Sequence, residues 1–273
     1  MRIPRAVMLA VLVSLVSGCG EAPPPEPVPI ERQRIPEGVL IAHALGGINA
    51  ISGSNSPQAF VHNYGRGFRW FEVDLALTAD EEMVCFHLGQ EAAIGLEVKI
   101  AETSTEEFLS RRFWRRFRLM TFDELLTLME SRPDAFLITD TKSWEPPIVE
   151  AFIREVARYP ASVRRRIVPQ LYRESDFDAL EKIESALGEF PYVILTLYAA
   201  WLPDEKVVEL LGRPELRNIT ASDRRFSSSL AEKVHAQDAA IFVHTINDRA
   251  EAASFVRAGA DGIYTDFVTP LGR

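Results

Sequence analysis

A chain of 273 residues that is 47% hydrophobic and 25% charged has the composition of a globular protein and excludes a disordered tail or a fibre. Its formal net charge of -9 argues against binding nucleic acid through the phosphates, which needs concentrated positive charge. Two cysteines are too few for a disulfide-stapled scaffold, and the length allows one large domain or two small ones.

The N-terminus comes first in chain order and carries the clearest local signal. Arg2 and Arg5 precede an unbroken run of apolar and small residues over 6–16, closed by Ser17-Gly18-Cys19. That is a charged region, a hydrophobic region too short for a comfortable membrane span, and a small-residue processing site. Val16-Ser17-Gly18-Cys19 resembles the lipobox of bacterial lipoproteins, which implies a signal peptide over 1–18 and lipidation of Cys19. The expected location is the bacterial cell envelope, with the exported chain lipid-anchored to a membrane. Acylation of Cys19 leaves Cys85 as the remaining thiol, in an apolar stretch that suits a small buried hydrophobe. The prolines that follow make residues 19–35 an extended spacer, and a folded domain is expected over 36–273.

Within that domain, short apolar runs alternate with helical patterns. Strands are predicted over 39–43, 70–75, 135–140, 167–171, 192–197, 218–221, 240–245 and 262–265. Helices are predicted over 57–64, 121–131, 148–159, 175–187, 204–211, 228–237 and 249–257. Eight strands alternating with helices suit an α/β chain folded as a (β/α)8 TIM barrel, with a long insertion after the second strand. No Gly-x-Gly-x-x-Gly turn follows the first strand, which weighs against an open doubly wound sheet. In the insertion, 83–87 reads as a further short strand and 88–110 as irregular. The basic run Arg111-Arg112-Phe113-Trp114-Arg115-Arg116-Phe117-Arg118 reads as a solvated helix face or as a lid that meets anionic headgroups.

Chemistry in such a barrel sits at the C-terminal ends of the strands. Those ends carry His43, Glu72 and Asp74, Asp140 and Lys142, Gln170 and Tyr172, Tyr198, Ser222, His244 with Asn247, and Asp266. Glu72 and Asp74 are two apart on one strand and point to the same face. Carboxylates gathered without matching cations make an oxygen-rich cage for a divalent cation, Mg2+ or Ca2+. His43 and His87 are the natural proton carriers, since imidazole titrates near neutrality. His244 ranks second, and His62 and His235 are expected on the surface.

Taken together the motifs resemble the glycerophosphodiester phosphodiesterase family, within the broader superfamily of phosphatidylinositol-type phospholipases C. The opening strand is Ile41-Ala42-His43, the helix start is Ser54-Asn55-Ser56-Pro57-Gln58-Ala59-Phe60, and the Glu-x-Asp strand is Gly67-Phe68-Arg69-Trp70-Phe71-Glu72-Val73-Asp74. Thr78-Ala79-Asp80, Val84-Cys85-Phe86-His87, Asp140-Thr141-Lys142, Thr245-Ile246-Asn247 and Gly259-Ala260-Asp261-Gly262-Ile263-Tyr264-Thr265-Asp266 follow in the family's order. The resemblance implies a metal-dependent phosphodiester hydrolase acting on a small-molecule or lipid-headgroup phosphodiester. His43 and His87 would be acid and base, Glu72, Asp74 and Asp140 would hold the cation, and Lys142 would contact the phosphate. Asn55 and Gln170 are further candidates for the substrate. The chain departs from the family at Ala44, where an arginine is usual, and at Ser54, Glu81 and Leu88, while Asp140 is shorter by one methylene than the usual glutamate. An aspartate there also resembles the sphingomyelinase D branch. A phospholipase C- or D-like lipase and an inactive envelope-binding lipoprotein are therefore the alternative readings.

Overall fold

A computed structural model describes residues 30–198 and 202–270. The elements in chain order are β1 (Val39–Ala42), α1 (Pro57–Gly65), β2 (Trp70–Leu77), β3 (Met83–Cys85), α2 (Thr105–Ser110), β4 (Arg112–Phe113), β5 (Phe117–Arg118), α3 (Phe122–Glu130) and β6 (Phe136–Asp140). They continue with α4 (Pro146–Val156), α5 (Ala161–Arg164), β7 (Ile167–Leu171), α6 (Asp176–Leu187), β8 (Ile194–Thr196), α7 (Asp204–Leu211), β9 (Asn218–Ser222), α8 (Ser228–His235), β10 (Ala240–His244), α9 (Arg249–Arg257) and β11 (Gly262–Thr265). All eight strands expected of the barrel are present.

They pair in parallel in the order β1-β11-β10-β9-β8-β7-β6-β2, and β2 pairs back onto β1 through Ile41↔Trp70 and Ala42↔Phe71. The sheet is therefore a closed (β/α)8 barrel. Side chains alternate along each strand, so every second residue fills the interior. Ile41, Trp70, Ile138, Val168, Ile194 and Phe242 form one buried inner cluster. The opposite faces, with Phe71, Val73, Leu137, Leu195 and Ile241, pack against the surrounding helices. Those helices start on side-chain caps where Ser56, Thr121, Ser227 and Asp248 accept N–H groups of the first turn.

The insertion between β2 and β6 has its own core. Strand β3 adds antiparallel to β2 with Leu75 opposite Cys85. Val84, Phe86, Ile94, Leu96, Ile100, Phe108, Phe113, Phe117 and Leu119 then bury one another. Residues 88–110 are accordingly more ordered than their sequence suggests, with two 3-10 turns (Glu91–Ile94 and Ile100–Glu102) and helix α2. The basic run is not a helix face. It is a hairpin in which β4 and β5 pair antiparallel around Trp114 and Arg115, both at positive φ (47° and 57°). The reason is a period of two: Phe113 and Phe117 are buried while Arg112 and Arg116 face out.

The described chain enters at the N-terminal end of the barrel. Gln33 N–H donates to the Pro191 carbonyl at 2.8 Å, and the buried Ile35 donates its N–H to Asn218 Oδ1 at 2.7 Å. Residues 1–29, with Cys19 and the expected signal peptide, lie outside the described residues. Among the described residues no helix is long and apolar enough to cross a membrane.

Candidate active site

Two residues past each inner apolar side chain, the same strand face delivers a polar one to the barrel mouth. Ile41 is followed by His43, Trp70 by Glu72 and Asp74, Ile138 by Asp140, Phe242 by His244, and Tyr264 by Asp266. Glu72 and Asp74 are buried, as the alternation requires. One carboxylate oxygen from each of Glu72, Asp74 and Asp140 lies within 4.8 Å of the other two. These three residues could hold a metal ion.

The environment of each carboxylate fits that capacity. Glu72 Oε2 accepts the Ala44 N–H at 2.7 Å, whereas its Oε1 is buried without a hydrogen-bond partner. Burial, and then the charge of Asp74, push the Glu72 carboxyl up to about 8. Burial opposes the charged form of Asp74 as well. There Lys142, His87 and His43 prevail and hold the carboxyl below its ordinary range. Adjacent buried carboxylates that cannot both ionise comfortably are the donor set a divalent cation relieves.

Lys142 stands between two of them. Its Nζ donates to Asp74 Oδ1 at 2.9 Å and also bonds Asp140 Oδ2. Burial works against this ammonium, but Asp74 and Asp140 outweigh it and raise its pKa. Tyr172 braces the same corner, because its hydroxyl donates to Asp140 Oδ1 at 2.6 Å and accepts the Lys142 N–H at 2.8 Å. Asn55 is engaged with Asp74 at both ends of its amide, donating from Nδ2 at 2.9 Å and accepting the Asp74 N–H at 3.1 Å. Gln170 is buried on the face of β7 that leads to Tyr172.

The two imidazoles have distinct surroundings. His43 Nδ1 lies 2.9 Å from Asp266 Oδ1, and Asn247 holds that carboxylate through Nδ2 at 2.8 Å to Oδ2. Burial lowers the His43 pKa, but the hydrogen bond to Asp266 and the nearby Glu72 charge raise it to about 9. His87 follows β3, with Nδ1 2.7 Å from the Leu88 carbonyl. A carbonyl only accepts, so Nδ1 carries a proton, and Nε2 lies 3.9 Å from Asp74 Oδ1. His244 is a third imidazole at the mouth, kept neutral by burial and then by His43, which together bring it down to about 4. His62 and His235 are exposed, the latter 2.9 Å from Asp261 on the far side of the barrel from the site.

Backbone strain concentrates here. Ala44, Leu45, Asn55 and Lys142 all have positive φ, 44° to 66°, without being glycine. At Ala44 this conformation accompanies the N–H bond to Glu72. Three residues the motifs did not rank among the site residues support it: Asp266, Asn247 and Tyr172. The signal for Tyr172 was its i+2 relation to Gln170, the spacing that pairs Glu72 with Asp74.

A profile of the Glycerophosphoryl diester phosphodiesterase family matches residues 45–269. The chain belongs to this family. It is therefore a phosphoric diester hydrolase of the glycerophosphodiester phosphodiesterase class. The barrel is similar to that of a chain from Silicibacter pomeroyi assigned as a glycerophosphoryl diester phosphodiesterase, with a TM-score of 0.68, 19% identity, and coverage of 87% of this chain and 93% of that one. A glycerophosphodiester phosphodiesterase from Thermotoga maritima gives 0.64 and 18% identity, covering 84% and 94%. A phosphodiesterase from Oleispira antarctica, solved with the product sn-glycerol-3-phosphate, gives 0.68 and 16% identity, covering 85% and 94%. These likenesses carry the fold. No curated protein matches the chain.

Proposed function

We propose that this member of the family cleaves a glycerophosphodiester or a phospholipid headgroup diester to a phosphomonoester and an alcohol, by acid–base catalysis from two histidines beside a divalent cation, Mg2+ or Ca2+. The observation that carries the reading is the cluster of Glu72, Asp74 and Asp140 with His87 and His43 at its edge. The orphan Glu72 Oε1 and the mutual repulsion of the carboxylates fit the three residues to hold the cation. When bound, a divalent cation supplies Lewis-acid stabilisation of charge on the phosphoryl oxygens.

The remaining roles follow from this chain's own groups. His87, anchored through Nδ1 at the Leu88 carbonyl with Nε2 beside the carboxylate cluster, suits removal of a proton from the attacking hydroxyl. His43, held protonated by Asp266, suits donation to the departing alkoxide. Lys142 presents the ammonium at the mouth where an arginine is absent at Ala44, so it takes the phosphate contact. Gln170 and the partly buried His244 would bound the alcohol side. Cys19 would tether the chain in the bacterial cell envelope, a reading supported by the pattern of residues 2–19.

The test is hydrolysis of a panel of headgroup diesters, followed as alcohol and phosphomonoester release. Chelator should abolish turnover. His43→Ala and His87→Ala should each lower kcat about 10²- to 10⁴-fold. Undiminished hydrolysis in excess EDTA, or by the double variant, would overturn the mechanism.

A further inference from the structure

Seven large apolar side chains are exposed among the described residues, and four of them, Leu88, Val98, Leu109 and Trp114, belong to the insertion at the barrel mouth. Trp114 is the most prominent of these at 62% exposed, at the turn of the β4–β5 hairpin. Around it the run 111–118 holds five arginines and no carboxylate. Arg111 pairs with Glu107 and Arg118 with Glu124, whereas Arg112, Arg115 and Arg116 are exposed and have no ion-pair partner among the described residues. In a chain of net charge -9 this is a local concentration of uncompensated positive charge. Isolated apolar residues on a surface need no explanation; an exposed tryptophan at a hairpin turn, flanked in the chain by exposed guanidinium groups, does.

From this we infer that the β4–β5 hairpin tip is a docking element for an anionic lipid bilayer, with Trp114 entering the headgroup layer and Arg112, Arg115 and Arg116 meeting the lipid phosphates. Tryptophan prefers the boundary between headgroups and acyl chains, and arginine is drawn to a negatively charged leaflet. The position of the tip also gives the docking a use. Trp114 N–H donates to the Ala93 carbonyl at 2.8 Å, and the turn that holds Ala93 follows directly from His87 through Gln90 N–H to the His87 carbonyl at 3.2 Å. Docking therefore presents the rim that carries His87 to the lipid headgroups. This consequence rests on the catalytic reading above; the docking itself does not.

The experiment is sedimentation of the full-length chain with phosphatidylcholine vesicles, with and without phosphatidylglycerol. Cys19→Ala is carried in every variant, so no acyl chain contributes and the N-terminal segment is common to all. Binding should require phosphatidylglycerol, weaken as salt is raised, and fall about fivefold per arginine removed, on the order of a hundredfold for R112A/R115A/R116A. A blue shift of tryptophan emission on adding vesicles should disappear in Trp114→Phe. Hydrolysis of a water-soluble diester should be unchanged in these variants, which separates a failure of docking from a failure of the catalytic reading. If the triple variant does not fold, Arg115→Ala alone and the salt dependence of the parent chain decide. Equal binding without phosphatidylglycerol, binding insensitive to salt and to the arginines, or association with an acidic protein in place of vesicles would overturn the inference.

Discussion

Asp266 shows how one side chain can set both the charge and the orientation of another. Its Oδ1 holds His43 Nδ1, its Oδ2 is fixed by Asn247 Nδ2, and its backbone N–H donates to Asn247 Oδ1 at 2.8 Å, so the imidazole is oriented by a rigid bracket. Asp266→Asn keeps the shape and removes the charge that keeps His43 protonated. We expect kcat to fall about a hundredfold or more with KM little changed, and steady-state kinetics on a soluble diester checks this. A second residue acts on stability alone. Glu155 is buried, accepts the Met83 N–H at 3.0 Å on Oε1, and leaves Oε2 without a partner. Burial pushes its carboxyl from 4.5 up to about 7. The folded value lies above the unfolded one, so the native state holds the extra proton in that window and stability falls as pH rises from about 4.5 through 7. Glu155→Gln should flatten this decline and raise the melting temperature at pH ~8 but not at pH ~4. Parallel pH–melting curves for the two proteins would reveal the difference.

At the scale of elements, the insertion stands on a core distinct from that of the barrel. Phe108 on α2 meets Phe86 edge-to-face at 5.7 Å and is fully buried. Phe108→Ala should cost about 3–5 kcal/mol of local stability, opening the insertion while the barrel strands stay protected in hydrogen exchange. Because His87 follows β3 directly, hydrolysis should fall with it. The barrel strands were legible in the sequence because each is a short β-branched or aromatic run ending in a polar residue. Ile41 to His43, Trp70 to Glu72 and Ile138 to Asp140 share one two-residue step from core to mouth. The insertion was not legible in the same way. Its order comes from contacts between Phe86, Phe108, Phe113 and Phe117, which are far apart in the chain and have no single period. The hairpin strands β4 and β5 are two residues each, too short for alternation to stand out beside five arginines. In the site, the polar residues at the strand ends could be read from spacing. The Asp266–His43 bond joins residues 223 positions apart across the β1–β11 seam that closes the barrel. The Tyr172–Asp140 bond joins residues 32 positions apart at the ends of the neighbouring strands β7 and β6, so both depend on strand pairing rather than on local spacing.

At the scale of the whole molecule, the β2–β6 pairing of the barrel converges carboxylates that repel one another, and a metal dependence of stability would report that cost. Glu72 and Asp74 are packed on one face of β2, Asp140 arrives opposite Asp74 through the β2–β6 register, and Lys142 compensates part of their charge. A divalent cation held by these three carboxylates would bind the folded arrangement and not the unfolded chain, where the three are scattered. At a hundredfold excess over Kd it should therefore stabilise the fold by about 2.7 kcal/mol. For a domain of this size that corresponds to a rise in Tm of roughly 5–10 °C. Glu72→Gln sharpens the comparison. Removing one charge relieves the repulsion and removes one ligand, so the ion-free variant should melt at or above the parent in EDTA and gain little from added Mg2+ or Ca2+. Calorimetry of the two proteins with EDTA and with each cation tests both halves, and the cation that raises the parent's Tm more identifies the metal the three carboxylates prefer. A parent Tm that ignores both ions, or a variant that gains as much as the parent, would remove Glu72 from the metal site.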